Sequence, residues 1–269
     1  MSAATPSNFL LPGLSLWQRE MVRFFRQRNR VVGALVTPVV FWLLLGCGLG
    51  TSFRSSGLPE GHGYLEYFYA GTLLMILLFT AIFSTISVIE DRKEGFLQAV
   101  LVAPVANLAI VLGKLMGGAT IALVQGCIFL ALAPLIGLKF GLAATLWLVL
   151  VMAIVSVGLT GLGFLVAWPM DSTAGFHAIM NLFLIPLWFL SGALFPAEGA
   201  PRWLGWIMKC NPLSYGLVAL RQGLYWEQPG MTATAPSKLV SLVVSVVFAV
   251  VMFLGSALLA RRTTRGDLQ

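Results

Sequence analysis

Apolar residues run along this chain in blocks near twenty positions long, separated by short polar segments. A helix needs about 20 apolar residues to bridge a hydrocarbon core about 30 Å thick. By that rule the blocks predict six spans, at 31–50, 64–89, 108–136, 142–166, 175–195 and 239–260. Two further segments are apolar without being long enough. Residues 13–30 put Leu14, Trp17, Met21, Phe24 and Phe25 at helical spacing with arginines opposite, which predicts an amphipathic helix lying in the headgroup plane. Residues 196–226 are rich in Trp, Tyr and aliphatic positions but are broken by Pro201, Gly205, Pro212 and Gly216. Each half is too short to cross, so the segment predicts a partly re-entrant helical hairpin on the external side, between spans five and six. The predicted fold is an all-α integral membrane protein, with a tail and interface helix at 1–30, one transmembrane domain at 31–260 and a second tail at 261–269.

Composition agrees with that solvent. Hydrophobic residues make up 58% of the chain, charged residues 10%, and the mean hydropathy is +0.91. The net charge of +7 does not indicate nucleic acid, because the basic residues are scattered between apolar blocks. Their distribution sets orientation instead. Arg19, Arg23, Arg26, Arg28, Arg30, Arg92, Lys93, Arg261, Arg262 and Arg265 share one side of the six-span topology. Arg54, Lys139, Arg202, Lys209, Arg221 and Lys238 are spread over longer loops on the other, so both termini are expected in the cytoplasm of a bacterial inner membrane. Lys114, two turns inside span three, is expected to snorkel back to that interface. The first thirty residues lack an apolar signal core, so the amino terminus is expected to remain. Cys47, Cys127 and Cys210 are widely spaced and read as packing residues. Tyr64, Tyr67, Tyr69, Trp203, Trp206 and Trp226 read as anchors in the external headgroups.

Several chemistries lack their residues. No Gly-x-Ser-x-Gly or His-Glu-x-x-His occurs, and the two histidines, His62 and His177, fall on opposite sides, so no catalytic or metal-binding set is predicted. Asp171 reads as an N-cap with Ser172 for span five. An ion-coupled secondary carrier would place ionisable groups near the bilayer midplane, and the spans carry few. The phosphate-cradling loop is absent as well, so any nucleotide energy must come from another polypeptide. A carrier of that kind, and a membrane-embedded scaffold or enzyme, are the rival readings.

The connection between spans two and three concentrates charge at Glu90, Asp91, Arg92, Lys93 and Glu94 and follows it with a short apolar run. Residues 95–102 predict about two helical turns in which Phe96 and Val100 share one side and Leu97 and Leu101 the next. Pro104 is expected to stop the helix and Asn107 to cap the following span. Such a helix suits either a groove on a partner or a lipid surface.

"EDRKEGFLQAVLVAPV" with a following "GK", "FLSGALFP" at 189–196 and "NPLSYGLVALR" at 211–221, together with the amphipathic amino-terminal segment, resemble the permease subunits of type-2 ATP-binding-cassette exporters. That group includes daunorubicin-type drug export and nodulation-factor or polysaccharide export. The resemblance covers nearly the whole chain. It implies a permease, not an enzyme, that dimerises with a second copy or a homologous subunit and moves an amphipathic drug, lipid or lipid-linked glycan. It places ATP and magnesium on separate ATPase partners and no cofactor on this chain. Glu94, Gly95, Phe96, Leu97 and Val100 would form the coupling helix against the ATPase, braced by Trp17, Arg23 and Phe24. Trp203, Trp206, Asn211, Pro212, Tyr215 and Arg221 would belong to the external re-entrant segment.

Overall fold

The computed structural model describes residues 10–49, 63–102, 105–195, 201–228 and 235–266. Every regular element among them is helical: α1 (Leu10–Arg26), α2 (Arg28–Leu49), α3 (Tyr64–Ser84), α4 (Ile86–Lys93), α5 (Phe96–Val102), α6 (Asn107–Leu130), α7 (Leu142–Ala167), α8 (Thr173–Phe189), α9 (Arg202–Cys210), α10 (Pro212–Leu224) and α11 (Lys238–Gly266). A short 3-10 turn at Ala133–Ile136 follows α6.

Among the described residues, four helical segments are long and apolar enough to cross a membrane: Tyr64–Lys93, Asn107–Ile136, Leu142–Ala167 and Lys238–Arg262. The apolar parts of α2 and α8, Val32–Gly48 and Thr173–Phe189, occupy the first and fifth predicted spans but are shorter. At 1.5 Å per residue a helix of that length reaches about 26 Å, short of a full hydrocarbon core. The predicted span two is two helices in series. Thr85 marks the joint between them, its backbone N–H and its hydroxyl both donating to the Ile82 carbonyl in a tight turn between α3 and α4.

α3 sits at the centre, buried along almost its whole length, with α6, α7, α2 and α8 around it, while α11 packs on α7 and presents much of its length outward. The core aromatic set is tight. Tyr69 stacks on Phe129 at 4.5 Å and Trp42 meets both edge-on. Tyr64, Tyr67 and Tyr69 are therefore core residues, buried to 8% exposure or less, and not headgroup anchors. Their place near the start of the central helix decides this, because α3 has no lipid-facing side there. Trp203 and Trp206 on α9 are 65% and 70% exposed, as anchors must be.

Other expectations shift. Asn107 opens α6 as its first helical residue, with Ala106 at the cap position, and Pro104 lies outside the described residues, as do Arg54, His62 and Pro196. Ser172 alone caps α8, its hydroxyl accepting from the Gly175 N–H at 3.1 Å. Cys47 and Cys210 are exposed rather than packed; Cys127 is half-buried.

Candidate functional site: the charged end of the bundle

α1 packs against the bundle along one face. Its buried face is Gly13, Leu16, Glu20 and Phe24, while Leu14 and Phe25, two of the predicted apolar set, point outward. The partner is α6, whose glycines admit it. A Cβ on Gly113 would come within 2.5 Å of the Leu16 Cβ and 2.9 Å of the Gly13 carbonyl oxygen, and one on Gly117 within 2.8 Å of the Glu20 Cβ. These contacts advance in step along both helices, so α1 and α6 run side by side in the same direction. Trp17 seals the edge, its indole N–H donating to the Thr120 hydroxyl at 3.1 Å.

That close approach carries a carboxylate to a buried lysine. Lys114, in the turn between the two glycines, donates to Glu20 at 2.6 Å, to Ser87 at 3.2 Å and to Asp91. Its side chain is 3% exposed, so it does not snorkel. Snorkelling fails because Glu20 and Asp91 satisfy the ammonium where it stands, whereas reaching solvent would leave both acids without it.

Asp91 is the hub. Its carboxylate, fully buried, accepts two hydrogen bonds from Arg19 at 2.8 and 2.7 Å, one from Arg23 at 2.9 Å and one from Lys114. The paired bonds from one guanidinium are the strong, geometrically specific kind. They also hold the Arg19 guanidinium above its ordinary pKa range, so it stays charged at any working pH. Arg23 reaches on to Glu90 at 2.7 Å and lies 3.6 Å from Glu94. The five-residue charge run is thus not simply a solvated loop: Asp91 turns fully inward while Lys93 and Glu94 stay exposed.

The next residue pulls the other way. Arg92 donates to the backbone carbonyls of Trp168 and Met170 and to the Asp171 carboxylate at 3.3 Å, tying α4 to the connection between α7 and α8. Asp171 is therefore an ion-pair partner and not the cap. Adjacent side chains on one helix fix it to α1 and α6 on one side and to α7–α8 on the other.

Gly95, at φ +75°, allows the sharp change from α4 to α5 that only glycine tolerates cheaply. The short helix then packs inward. Leu97 is 3% exposed in the core, Phe96 is half-buried with the Arg19 guanidinium 3.7 Å above its ring, and Val100 packs against the core. The predicted partner-facing set is therefore divided: Glu94 is exposed, Gly95, Phe96 and Val100 are half-buried, and Leu97 is buried inside its own chain. What α5 presents outward is Gln98, Ala99 and Val102. Leu97 turns in because the left-handed step at Gly95 brings the first turn of α5 back against the bundle. Trp17, Arg23 and Phe24, the predicted bracing residues, do sit together on α1 and reach α6, α4 and the core respectively.

The opposite end is built from hydrogen bonds to backbone. Gly192, at φ +88°, turns the chain after α8, and its carbonyl accepts from the Tyr67 hydroxyl at 3.0 Å and from Arg221 at 2.9 Å. The Arg221 guanidinium also covers the Tyr67 ring at 4.2 Å. Asn211 caps α10 through Leu213 N–H at 3.0 Å and donates to the Leu187 carbonyl at 2.8 Å; Pro212 follows at the first helical position. Tyr215 donates to the Lys209 carbonyl at the exposed edge. Of the predicted external set, Asn211 and Arg221 thus belong to the joint that closes this end.

Sequence reasoning missed Glu20, Asp91, Arg92 and the partnership of Lys114. One signal was present: a lysine flanked by glycines inside an apolar span, with an acid on the apolar face of a neighbouring helix.

Residues 14–225 match the family described as "ABC-2 type transporter". Nodulation protein J of Rhizobium leguminosarum bv. viciae is 28% identical over 267 residues, 97% of this chain and 98% of that one. The putative transport permease ycf38 of Cyanophora paradoxa is 25% identical, covering 82% of this chain and 76% of its own. A probable doxorubicin resistance ABC transporter permease protein, DrrC, of Mycobacterium tuberculosis is 24% identical, covering 79% and 76%.

Proposed function

This chain belongs to the ABC-2 type transporter family, and from that premise we propose that it is the membrane subunit of an exporter, driven by a separate ATPase that docks on the α4–α5 connection. It acts as a six-span subunit in a bacterial inner membrane, with both termini in the cytoplasm, and pairs with a second copy or a homologous permease. Its substrate is amphipathic. α9 and α10 form the re-entrant hairpin at the external end.

One observation carries the coupling assignment: Asp91 and Arg92, consecutive on α4, are bonded to α1 and α6 in one direction and to the α7–α8 connection in the other. A push on this helix is therefore delivered to three parts of the bundle at once, which is what converting ATPase closure into motion of a bistable membrane element requires. Exposed Glu94, Gln98 and Val102 meet the ATPase, while Phe96, Leu97 and Val100 pass its movement inward.

Affinity purification of the full chain in mild detergent tests the reading, with the co-purifying proteins identified by mass spectrometry. A stoichiometric protein with a phosphate-binding loop is expected, and Val102→Asp, on the exposed edge of α5, should abolish its recovery. A stable assembly that lacks such a protein, or undiminished recovery with Val102→Asp, overturns the docking assignment.

A further inference from the structure

A cavity of about 690 Å³ opens between α2, α3, α8 and the end of α1. Its walls are aromatic, with Phe41, Phe79, Phe83, Trp188 and Phe189 all contributing, and its ionisable lining groups are His177, its ring tilted against Phe83 at 4.9 Å, and Glu90. A carboxylate facing an apolar space is costly unless a cation meets it. In this structure the cation is Arg23, whose Nη2 lies 2.7 Å from the Glu90 carboxylate.

The arrangement lets Arg23 leave cheaply. Its other terminal nitrogen is bound to Asp91 at 2.9 Å, and Glu94 lies 3.6 Å from the same Nη2 that holds Glu90. A small swing from Glu90 to Glu94 keeps the guanidinium doubly paired and leaves Glu90 free. The charge balance favours a visitor of one sign. The ion pairs join the cations Arg19, Arg23 and Lys114 to the carboxylates Glu20, Glu90, Asp91 and Glu94, one more acid than base.

We propose that Glu90 reads the charge of the transported molecule, that the cavity takes a monocationic aromatic amphiphile, and that Arg23 occupies the cation position until such a molecule displaces it. The ring body of the ligand packs against the aromatic walls, which also attract its positive charge. An anionic compound meets the surplus carboxylate and is rejected; a neutral one gains packing alone. The proposal rests on the export reading for its biological meaning, but binding to the permease by itself does not require the ATPase.

The test is binding to the purified full chain in detergent, by fluorescence polarisation, of rhodamine 6G as the cationic probe and an uncharged boron-dipyrromethene dye as its neutral counterpart. Glu90→Gln should weaken rhodamine 6G binding about tenfold, the scale of one partly screened ion pair, and Arg23→Gln should tighten it by a similar factor through loss of the internal competitor. The neutral dye should bind all forms alike. Equal rhodamine 6G affinity in the native chain and Glu90→Gln, or weaker binding in Arg23→Gln with the neutral dye unaffected, overturns the proposal. If Glu90→Gln loses the neutral dye as well, Glu90→Asp decides: retained cation binding supports the assignment and lost binding sinks it. Failure here leaves ATPase co-purification untouched, so the two readings fall separately.

Discussion

The two ends of the bundle are closed by different chemistry. At the charged end, the joint of α1, α4 and α6 bonds ions to ions: Asp91 serves Arg19, Arg23 and Lys114, and Arg23 in turn reaches Glu90 and lies near Glu94. At the other end, side chains bond to backbone carbonyls: Tyr67 and Arg221 to Gly192, Tyr64 to Leu194, Tyr225 to Glu66, Asn211 to Leu187 and Trp188 to Gly71. A carbonyl oxygen fixed in the main chain accepts from one place only. A carboxylate on a flexible stem among several cations can exchange partners without losing its charge neutralisation. The first kind of joint specifies a single geometry, and the second permits neighbouring ones at small cost, which suits the end where partner motion is received.

That contrast predicts its largest effect at the hub. Asp91→Asn removes the one acid common to Arg19, Arg23 and Lys114 and leaves the buried Lys114 ammonium to Glu20; breaking a buried pair this way costs about 3–5 kcal/mol. The expected result is a marked fall in the temperature at which half the detergent-solubilised protein remains monodisperse. A midpoint equal to that of the native chain would mean that the ions at this end are spectators, and the comparison between the two ends would collapse.

Much of this was legible in the chain and some was not, for physical reasons. Spans three, four and six match α6, α7 and α11 to within a few residues at most of their ends, because long apolar runs admit one reading. The short helix after the charge run was legible from its apolar run, but its ends were not: Gly95, read as part of the helix, makes the left-handed turn before it, and Asn107 does not cap the next one. What failed was side-chain direction. Periodicity put Leu14, Trp17, Met21, Phe24 and Phe25 together on one lipid-facing side of α1, but packing on the α6 glycines divides that set: Phe24 turns inward with Gly13, Leu16 and Glu20, while Leu14 and Phe25 stay exposed. Close backbone approach outweighed apolar area, and no one-helix pattern encodes what lies on the neighbouring helix. The same blindness sent Lys114 to the interface and hid the partners of Asp91: a charge inside a membrane protein is placed by its partners, and Arg19, Arg23 and Glu20 come from α1, some 70 to 95 residues away along the chain. Tyr64, Tyr67 and Tyr69 were misplaced for a related reason, since an interfacial tyrosine and a core tyrosine look alike until burial of the whole helix is known.

The backbone-anchored end should respond at one position out of proportion to its size. Gly192 holds φ +88°, where a residue with a Cβ is strained by about 1–2 kcal/mol. Its carbonyl is the shared acceptor of Tyr67 and Arg221, so relaxing that strain would also disturb both bonds. Gly192→Ala should lower the same thermal midpoint by less than Asp91→Asn does. Gly113→Ala is not an equivalent control at the charged end, because there the added methyl meets Leu16 and the Gly13 carbonyl instead of an unfavourable φ. A midpoint unchanged by Gly192→Ala would show that the turn after α8 is as adaptable as the ion cluster.

The smallest effect on stability belongs to Trp203 and Trp206, and it separates anchoring from folding. Both are mostly exposed on α9, and the Lys209 ammonium lies 5.8 Å from the Trp206 ring. Replacing both with Ala should leave the thermal midpoint in detergent within the range of an ordinary surface change, about 0.5 kcal/mol. In a bilayer the expectation differs, because exposed indoles at a helix between two membrane-facing elements gain their free energy from the headgroup region and not from the protein. The readout is therefore depth: a nitroxide label on Cys210, an exposed cysteine at the end of α9, accessed by lipid-soluble oxygen against a water-soluble paramagnetic ion. The double variant should shift Cys210 toward water while the folded bundle persists. An unchanged depth would make α9 a helix held only by its junction with α10, through Asn211 and the Ser214 hydroxyl bonded to the Met208 carbonyl at 2.6 Å, and the backbone-anchored end would then owe nothing to the membrane around it.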